Sequence, residues 1–203
     1  MERIWYPKVK RLFDATFSAL GIVFLSPLFA IIALSIKLTS KGPVIYRQVR
    51  LGRQKIPFHL YKFRTMGIAD AKGLKFTTLD DPRVTKVGRY LRKFKLDELP
   101  QLINVLKGDM SFVGPRPELP EFAEHFPDAF QKILEVRPGI TDLASIKFRD
   151  ESKLIESGTD IERIYLEKIL PRKLAYNMEY LEKCGFLYDM SLIFKTLYAI
   201  IFK

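Results

Sequence analysis

Two adjacent carboxylates, Asp97 and Glu98, stand a short helix ahead of an arginine fixed between prolines in Gly114-Pro115-Arg116-Pro117-Glu118. A carboxylate can attack phosphorus and form an acyl phosphate, which splits one hard transfer into two easier ones. It can equally hold Mg²⁺, which takes one or two protein carboxylates and completes its shell with water and substrate phosphate. Neighbouring helical residues point roughly 100° apart, so the two acids are expected to do different work. Arg116 offers a planar, permanently charged fork for phosphate oxygens, and its flanking prolines reduce the entropy lost on binding. Residues 94 to 118 therefore read as a phosphate-handling site. The plainer alternative for Asp97 is a helix N-cap, worth ~1 kcal/mol.

Further cations lie nearby in sequence. Alternation along Phe58-His59-Leu60-Tyr61-Lys62-Phe63-Arg64 would set Lys62 and Arg64 on one face of a strand, about 7 Å apart, where they could grip a diphosphate. A solvated polar face is the ordinary alternative for such a pair. Arg89 and Arg92 sit just before the carboxylates. With one cysteine, Cys184, and two histidines, His59 and His125, there is neither an internal disulfide nor a zinc-type ligand cluster. The chain reads as intracellular, with any metal bound through oxygen.

The elements that must position these residues begin with a membrane segment. Residues 15 to 36 carry no charge for roughly the 20 residues that a bilayer-spanning helix needs. Arg3, Lys8, Lys10 and Arg11 precede this run, and Lys37, Lys41, Arg47, Arg50 and Arg53 follow it. The positive-inside tendency puts both ends on the cytoplasmic face, and Ser26-Pro27 near the middle bends the helix by removing a backbone hydrogen bond. The expected form is a re-entrant helix-break-helix. Arms of roughly 18 Å would enter the ~30 Å hydrocarbon layer without crossing it. The Ser26 hydroxyl is a local donor for a carbonyl freed at the break. A kinked transmembrane helix and a signal peptide are the alternatives.

Beyond this segment, Val44 to Tyr46 and Phe58 to Arg64 predict short extended segments around a turn at Gly52, and residues 67 to 85 a surface loop turning at Asp80-Asp81-Pro82. Lys86 to Lys95 predicts a basic amphipathic element, with Lys86, Arg89 and Lys93 on one face and Val87, Tyr90, Leu91 and Phe94 around the other. Such a helix would lie flat on anionic lipid. Leu99, Leu102, Ile103 and Leu106 predict a helix from Glu98 to Lys107, stopped by Gly108. Helices are also expected over Pro120 to Leu134 and within residues 151 to 183. The apolar Phe186 to Lys203 stretch, charged at Asp189 and Lys195, predicts an interfacial or packed helix. No Gly/Ser-rich linker divides the 203 residues, so one domain is expected, with residues 1–40 in the membrane and 41–203 catalytic. The net charge of +11 calls for an anionic partner: nucleic acid, anionic lipid or a phosphorylated substrate.

Several runs are specific in themselves. Lys41-Gly42-Pro43-Val44-Ile45-Tyr46-Arg47-Gln48, Tyr61-Lys62-Phe63-Arg64-Thr65-Met66, Leu96-Asp97-Glu98-Leu99-Pro100-Gln101-Leu102, Leu106-Lys107-Gly108-Asp109-Met110-Ser111-Phe112-Val113-Gly114-Pro115-Arg116-Pro117-Glu118 and Arg137-Pro138-Gly139-Ile140-Thr141 come in order along the chain. They resemble, nearly end to end, the bacterial sugar transferase family, the monotopic polyprenyl-phosphate phosphoglycosyl transferases. The resemblance implies transfer of a phospho-sugar from a UDP-sugar to undecaprenyl phosphate with release of UMP, by a ping-pong route with Mg²⁺. This would begin glycan assembly at the cytoplasmic face of a bacterial inner membrane. It implies that Asp97 attacks the phosphorus bearing the sugar, holds it covalently and lies near the metal, with Glu98 as the supporting carboxylate. Lys62, Arg92 and Arg116 would bind phosphate, Glu118 would belong to the same substrate-binding set, and Ser26-Pro27 would match the family's membrane hairpin break.

The fold expected is mainly α with a short β element: a single-domain monotopic membrane protein with a re-entrant N-terminal hairpin and interfacial amphipathic helices. Its partners would be the UDP-sugar, undecaprenyl phosphate and anionic lipid, not nucleic acid, with self-association open. Three departures bear on the sugar pocket: Lys95 where the family commonly has Ser or Thr, Asp142-Leu143-Ala144-Ser145 where it often has Gly-Leu-Ala-Gln, and Asn177 where an acid is expected. Two rivals stand beside the enzyme. A membrane-attached nucleic-acid binder fits the charge but leaves Asp97 and Glu98 repelling phosphate. A silent membrane scaffold would need neither acid.

Overall fold

A computed structural model describes residues 2–67, 81–148 and 161–202. The expected loop over 67–85 falls mostly outside these residues, as does the start of the charged stretch from 151. The fold is mainly helical with few, short strands, as the sequence predicts.

Helix α1, Glu2–Thr39, contains the whole apolar run, with Pro7 and Pro27 inside it. The expected break at Ser26-Pro27 takes the form of a proline within one unbroken helix. Pro27 has no N–H to give the Val23 carbonyl, and Ser26 Oγ donates to that carbonyl instead at 2.8 Å. From Tyr6 to Thr39 the helix is long and apolar enough to cross a membrane, and little of its apolar run is buried in the protein. Leu20, Val23, Phe24, Ile31, Leu34 and Leu38 are all exposed, a contiguous apolar surface that water would not tolerate well.

Both halves of α1 are tied to the same body. Near its start, Arg11 donates to the Val105 and Leu106 carbonyls, each at 2.7 Å, and the Asp14 carboxylate accepts from the Phe112 amide at 3.1 Å. Near its end, Ile32 and Ile36 are buried with Phe63 and Leu91 in one core cluster. A long apolar helix fastened at both ends to one body is consistent with a monotopic, re-entrant membrane architecture.

Strands β1, Ile45–Leu51, and β2, Pro57–Phe63, pair antiparallel from Ile45↔Phe63 to Leu51↔Pro57 around Gly52 and a short 3₁₀ turn, Arg53–Lys55. Arg64 falls just past β2 and does not join Lys62. Its guanidinium donates to the Ser40 and Lys41 carbonyls at 2.9 and 2.7 Å. The end of a helix leaves carbonyls without intrahelical partners, and these claim the arginine.

Helix α2, Lys86–Lys93, is capped by Thr85, whose Oγ1 accepts from the Gly88 amide at 2.9 Å. Gly88 and Leu91 form its buried side, and Tyr90 and Phe94 stand outside it, 68% and 50% exposed, beside Lys86, Arg89 and Lys93. The apolar face expected there is thus divided. Its aromatics share the outer surface with the cations, a composition suited to a lipid interface.

A 3₁₀ turn, Leu96–Glu98, leads through Pro100 into helix α3, Gln101–Lys107, which ends at Gly108 in the left-handed region, φ 91°. The helix therefore starts later than the expected Glu98. Strand β3, Ser111–Val113, pairs in parallel with β4, Gly139–Thr141. Between them the expected 120–134 helix is divided into α4, Pro120–Glu124, and α5, Pro127–Ile133. Pro127 cannot continue the first helix but suits the first turn of a second. Helix α6, Leu143–Lys147, is followed by α7, Ile161–Ile164, a π turn at Tyr165–Ile169, and α8, Leu170–Lys183.

Helix α9, Phe186–Phe202, leaves Leu187, Phe194, Tyr198 and Phe202 exposed and buries Asp189. The Asp189 carboxylate takes the hydroxyls of Tyr6 and Tyr180 and the ammonium of Lys10. Of the interfacial or packed helix that the sequence predicts, the packed form is seen through Asp189 and Leu192. The principal core gathers Phe122, Phe130, Ile133, Tyr165, Ile169 and Leu170 behind the loop that carries Arg116.

That loop depends on one close approach. A Cβ on Gly139 would lie 2.2 Å from the Gly114 nitrogen and 2.6 Å from the Thr141 oxygen, both backbone atoms. Gly139→Ala is expected to destabilise the fold by at least the ~1–3 kcal/mol typical of overpacking, seen as a lower Tm. An unchanged Tm would contradict this packing.

Candidate active site

The 3₁₀ turn at Leu96–Glu98 is set up by Lys95, which adopts the left-handed conformation at φ 56° with its side chain exposed. The turn aims the two acids differently. Glu98 Oε1 accepts from Lys62 Nζ at 2.8 Å and from Arg116 Nη2 at 2.5 Å. Strand β2, the 3₁₀ turn and the Pro-Arg-Pro loop thus meet at one oxygen.

Asp97 is 9% exposed, and its Oδ1 is buried with no hydrogen-bond partner among the described residues. It does not cap α3: the residue before that helix is Pro100, and no side chain bonds the helix's first amides. The capping alternative is therefore removed. A buried carboxylate oxygen without a donor is costly, and such groups call for an explanation such as a bound ion or a reacting role.

The two acids are held on opposite sides of the ordinary carboxylate range. Burial pushes Asp97 upward, and the charges of Lys62, Lys95 and Arg92 only partly offset it. Burial also works against Glu98, but Arg116 and Lys62 more than reverse it and hold the acid well below its usual range. Lys62 is itself lowered by burial against the pull of Glu98, and Arg116 is held firmly charged by Glu98. Environments that push two neighbouring acids apart are a mark of divided chemical labour.

Arg92, on the last turn of α2, is close enough to Asp97 for the two charges to act on each other. Its Nε donates to Thr65 Oγ1 at 2.9 Å, and its charge is felt by Asp97 and Asp81. Asp81 is fully engaged by Arg83, through Nε at 2.8 Å and Nη2 at 2.5 Å. Glu118 stands behind the loop: it accepts from the Tyr165 hydroxyl at 2.9 Å, lies 3.8 Å from Arg50 Nη1, and is 8% exposed. Asp142 caps α6 through the Ser145 amide at 2.8 Å and meets the Arg116 amide at 3.4 Å. The Asp142–Ser145 departure noted in the sequence therefore forms a local cap that also braces the Arg116 backbone. Asn177, the other departure toward the C-terminus, is buried on α8 with Oδ1 unpartnered among the described residues.

Of the residues singled out by sequence, Lys62, Glu98 and Arg116 are in direct contact, Asp97 and Arg92 adjoin them, and Glu118 supports the loop from inside. Ser26 and Pro27 are on α1, within the membrane segment. The sequence gives no site role to Thr65 or Tyr165, and places Arg50 only among the basic flanks of the apolar run. The place of Thr65 directly after Tyr-Lys-Phe-Arg was the one available signal. A cavity of about 1050 Å³ lined by Tyr6, Lys10, Asp14, Ser111, Arg137 and Tyr180 lies elsewhere and includes none of the site residues. Clustered cations beside a partnerless buried carboxylate can seat a phosphorylated ligand and attack it.

Comparison with known proteins bears on this reading. Over 195 residues the chain is 36% identical to the UDP-glucose:undecaprenyl-phosphate glucose-1-phosphate transferase of Escherichia coli (strain K12), covering 94% of this chain and 39% of that protein. It is 47% identical over 122 residues to a putative undecaprenyl-phosphate N-acetylgalactosaminyl 1-phosphate transferase of Bacillus subtilis (strain 168), covering 60% and 68%. A third relative, the UDP-N-acetylgalactosamine-undecaprenyl-phosphate N-acetylgalactosaminephosphotransferase of Aeromonas hydrophila, is 36% identical over 200 residues, covering 97% and 44%. The chain thus spans well under half the length of the Escherichia and Aeromonas relatives. The bacterial sugar transferase family matches from residue 5 to residue 203, and the chain belongs to that family.

Proposed function

We propose that this protein transfers a sugar 1-phosphate from a UDP-sugar to undecaprenyl phosphate, releasing UMP, at the cytoplasmic face of a bacterial membrane. The observation that carries this reading is the Asp97 carboxylate, buried and without a donor on Oδ1 among the described residues, beside Lys62 and Arg92 and next to the Glu98 that binds Arg116. An ionised Asp97 oxygen attacks the phosphorus that bears the sugar. A P–O bond to Asp97 forms as the bond to the bridging oxygen breaks, and UMP leaves with that electron pair. A phosphate oxygen of the polyprenyl acceptor then attacks the same phosphorus and displaces the Asp97 carboxylate.

Arg116, Lys62 and Arg92 neutralise the charge gathering on the phosphate oxygens. Glu98 stays ionised and keeps both of its cations aligned between turnovers. The lipid acceptor is brought to the site by the exposed apolar surfaces of α1 and α9, and Tyr90 and Phe94 beside the α2 cations add an anionic-lipid contact. Among the described residues no group of three or more Asp, Glu, His or Cys could hold a metal alone. Mg²⁺ needs only one or two carboxylates when substrate phosphates complete its shell, and Asp97 fits that role through its partnerless oxygen. When bound, the metal would supply charge neutralisation at the diphosphate.

Incubation with a panel of UDP-sugars, Mg²⁺ and polyprenyl phosphate should release UMP with at least one donor. Folded protein that turns over none of them would refute the reading. Arg116→Lys keeps the charge but loses the fork, and should lower kcat/KM by about 10²-fold; near wild-type turnover would remove Arg116 from phosphate binding.

The pH dependence follows from the two acids. Asp97 titrates above its unfolded value, so its ionisation subtracts stability as pH rises through its folded pKa. Glu98 titrates below its unfolded value, so its ion pairs stabilise the fold above the ordinary carboxylate range and are lost as pH falls through its folded pKa. Asp97→Asn should therefore raise Tm at pH 7 while abolishing UMP release. A lower Tm would mean that the carboxylate serves the fold. The acid limb of kcat/KM should lie above the usual carboxylate range and follow Asp97; a limb near pH 4 would assign it elsewhere.

A further inference from the structure

Thr65 is almost fully buried, yet its hydroxyl meets Arg92, whose charge acts on Asp97. Its position is fixed by backbone contacts. The Thr65 carbonyl accepts from the Thr85 amide at 3.0 Å and from Thr85 Oγ1 at 3.3 Å, and Thr85 in turn caps α2. Gly88 lets α2 rest directly on this carbonyl, since a Cβ there would lie 2.1 Å from the Thr65 oxygen. The start of α2 is thereby locked to residue 65, and Arg92 is carried on the last turn of that helix. The Thr65 hydroxyl then takes the Arg92 Nε hydrogen at 2.9 Å, which sets the plane of the guanidinium and leaves its two Nη groups for other acceptors. The alternative acceptor on that side, Asp81, is engaged by Arg83.

We propose that Thr65 is a positioning residue. Its hydroxyl holds the Arg92 fork ready for phosphate oxygens beside Asp97, so it acts on the transfer through Arg92 and does not itself touch substrate. The inference rests on the phosphoglycosyl transfer proposed above. A flexible arginine has many rotamers, and fixing one in advance lowers the entropy lost when the diphosphate arrives. A hydroxyl is suited to this role: a carboxylate at residue 65 would form a full ion pair and compete with the ligand for the guanidinium.

The test is a double-mutant cycle on UMP release, with Tm recorded for each variant. Thr65→Val keeps shape and loses the acceptor, and should lower kcat/KM by about tenfold, the scale of a hydrogen bond to a charged group. Thr65→Ser should restore it to within about twofold. In an Arg92→Ala background, Thr65→Val should change kcat/KM by less than about twofold, because the group it acts through is gone. A tenfold loss that persists without Arg92, or wild-type kcat/KM for Thr65→Val, would overturn the proposal. If Thr65→Val does not fold, the same cycle is run with Thr65→Ala. Wild-type protein that releases no UMP refutes the transferase reading and this inference with it, whereas an active wild type with an indifferent Thr65 refutes the inference alone.

Discussion

One carboxylate oxygen, Glu98 Oε1, receives both Lys62 and Arg116, and the geometry of the site depends on this junction. The three groups come from a strand, a 3₁₀ turn and a proline-bounded loop that are far apart in sequence. Removing any one leaves a charge with reduced compensation in a poorly solvated place, which is why such a triad fixes its elements firmly even where its net stabilisation is small. The junction also explains the state of the preceding residue. With Glu98 held by two cations, the turn presents Asp97 inward, where burial raises its pKa and leaves one oxygen without a donor among the described residues. The site therefore includes one acid that its cations hold as an anion and one whose ionisation is opposed by burial, a strain of the kind that active sites keep at the expense of stability.

The membrane helix is part of the same construction. Arg11 of α1 binds the carbonyls at the end of α3, while Arg64, just beyond β2, binds the carbonyls at the end of α1. Helix α3 begins directly after the Glu98 turn, and Lys62 lies two residues before Arg64. The junction of Lys62, Glu98 and Arg116 is thus fastened to both ends of the long apolar helix, which suits the proposed reaction, with its soluble donor and lipid acceptor. The run Lys62, Arg64, Thr65 directs three polar side chains to three places: the acid, the membrane helix and the second arginine.

Much of this was legible in the sequence, and the exceptions have physical causes. The apolar run, the basic flanks and Ser26-Pro27 announced the membrane helix, including the serine that satisfies the carbonyl freed by proline. The ordered motifs announced the family and singled out the acids and cations of one site, though not that Lys62 and Arg116 both bind Glu98. Period-two alternation placed Lys62 and Arg64 together, but alternation ends with the strand, and the open end of α1 draws Arg64 away. Helical periodicity grouped Val87, Tyr90, Leu91 and Phe94 on one apolar face, yet Val87 and Leu91 pack on the body while Tyr90 and Phe94 stay exposed, because contact of Gly88 with Thr65 sets the helix's rotation. Asp97 satisfied the sequence rules for an N-cap, and only the position of Pro100 shows that it is not one. The bond between Thr65 and Arg92 joins residues distant in sequence through a tertiary contact, which no local pattern encodes.

The central claim is that Asp97 becomes covalently bound to the transferred group. Intact mass measured after mixing the protein with a UDP-sugar and Mg²⁺, without lipid acceptor, tests this most directly. The wild-type chain should gain the mass of one phospho-sugar, removed by adding polyprenyl phosphate and missing from Asp97→Asn. The same adduct on Asp97→Asn, or UMP released only when donor and acceptor are present together and with no adduct at any time, would contradict it.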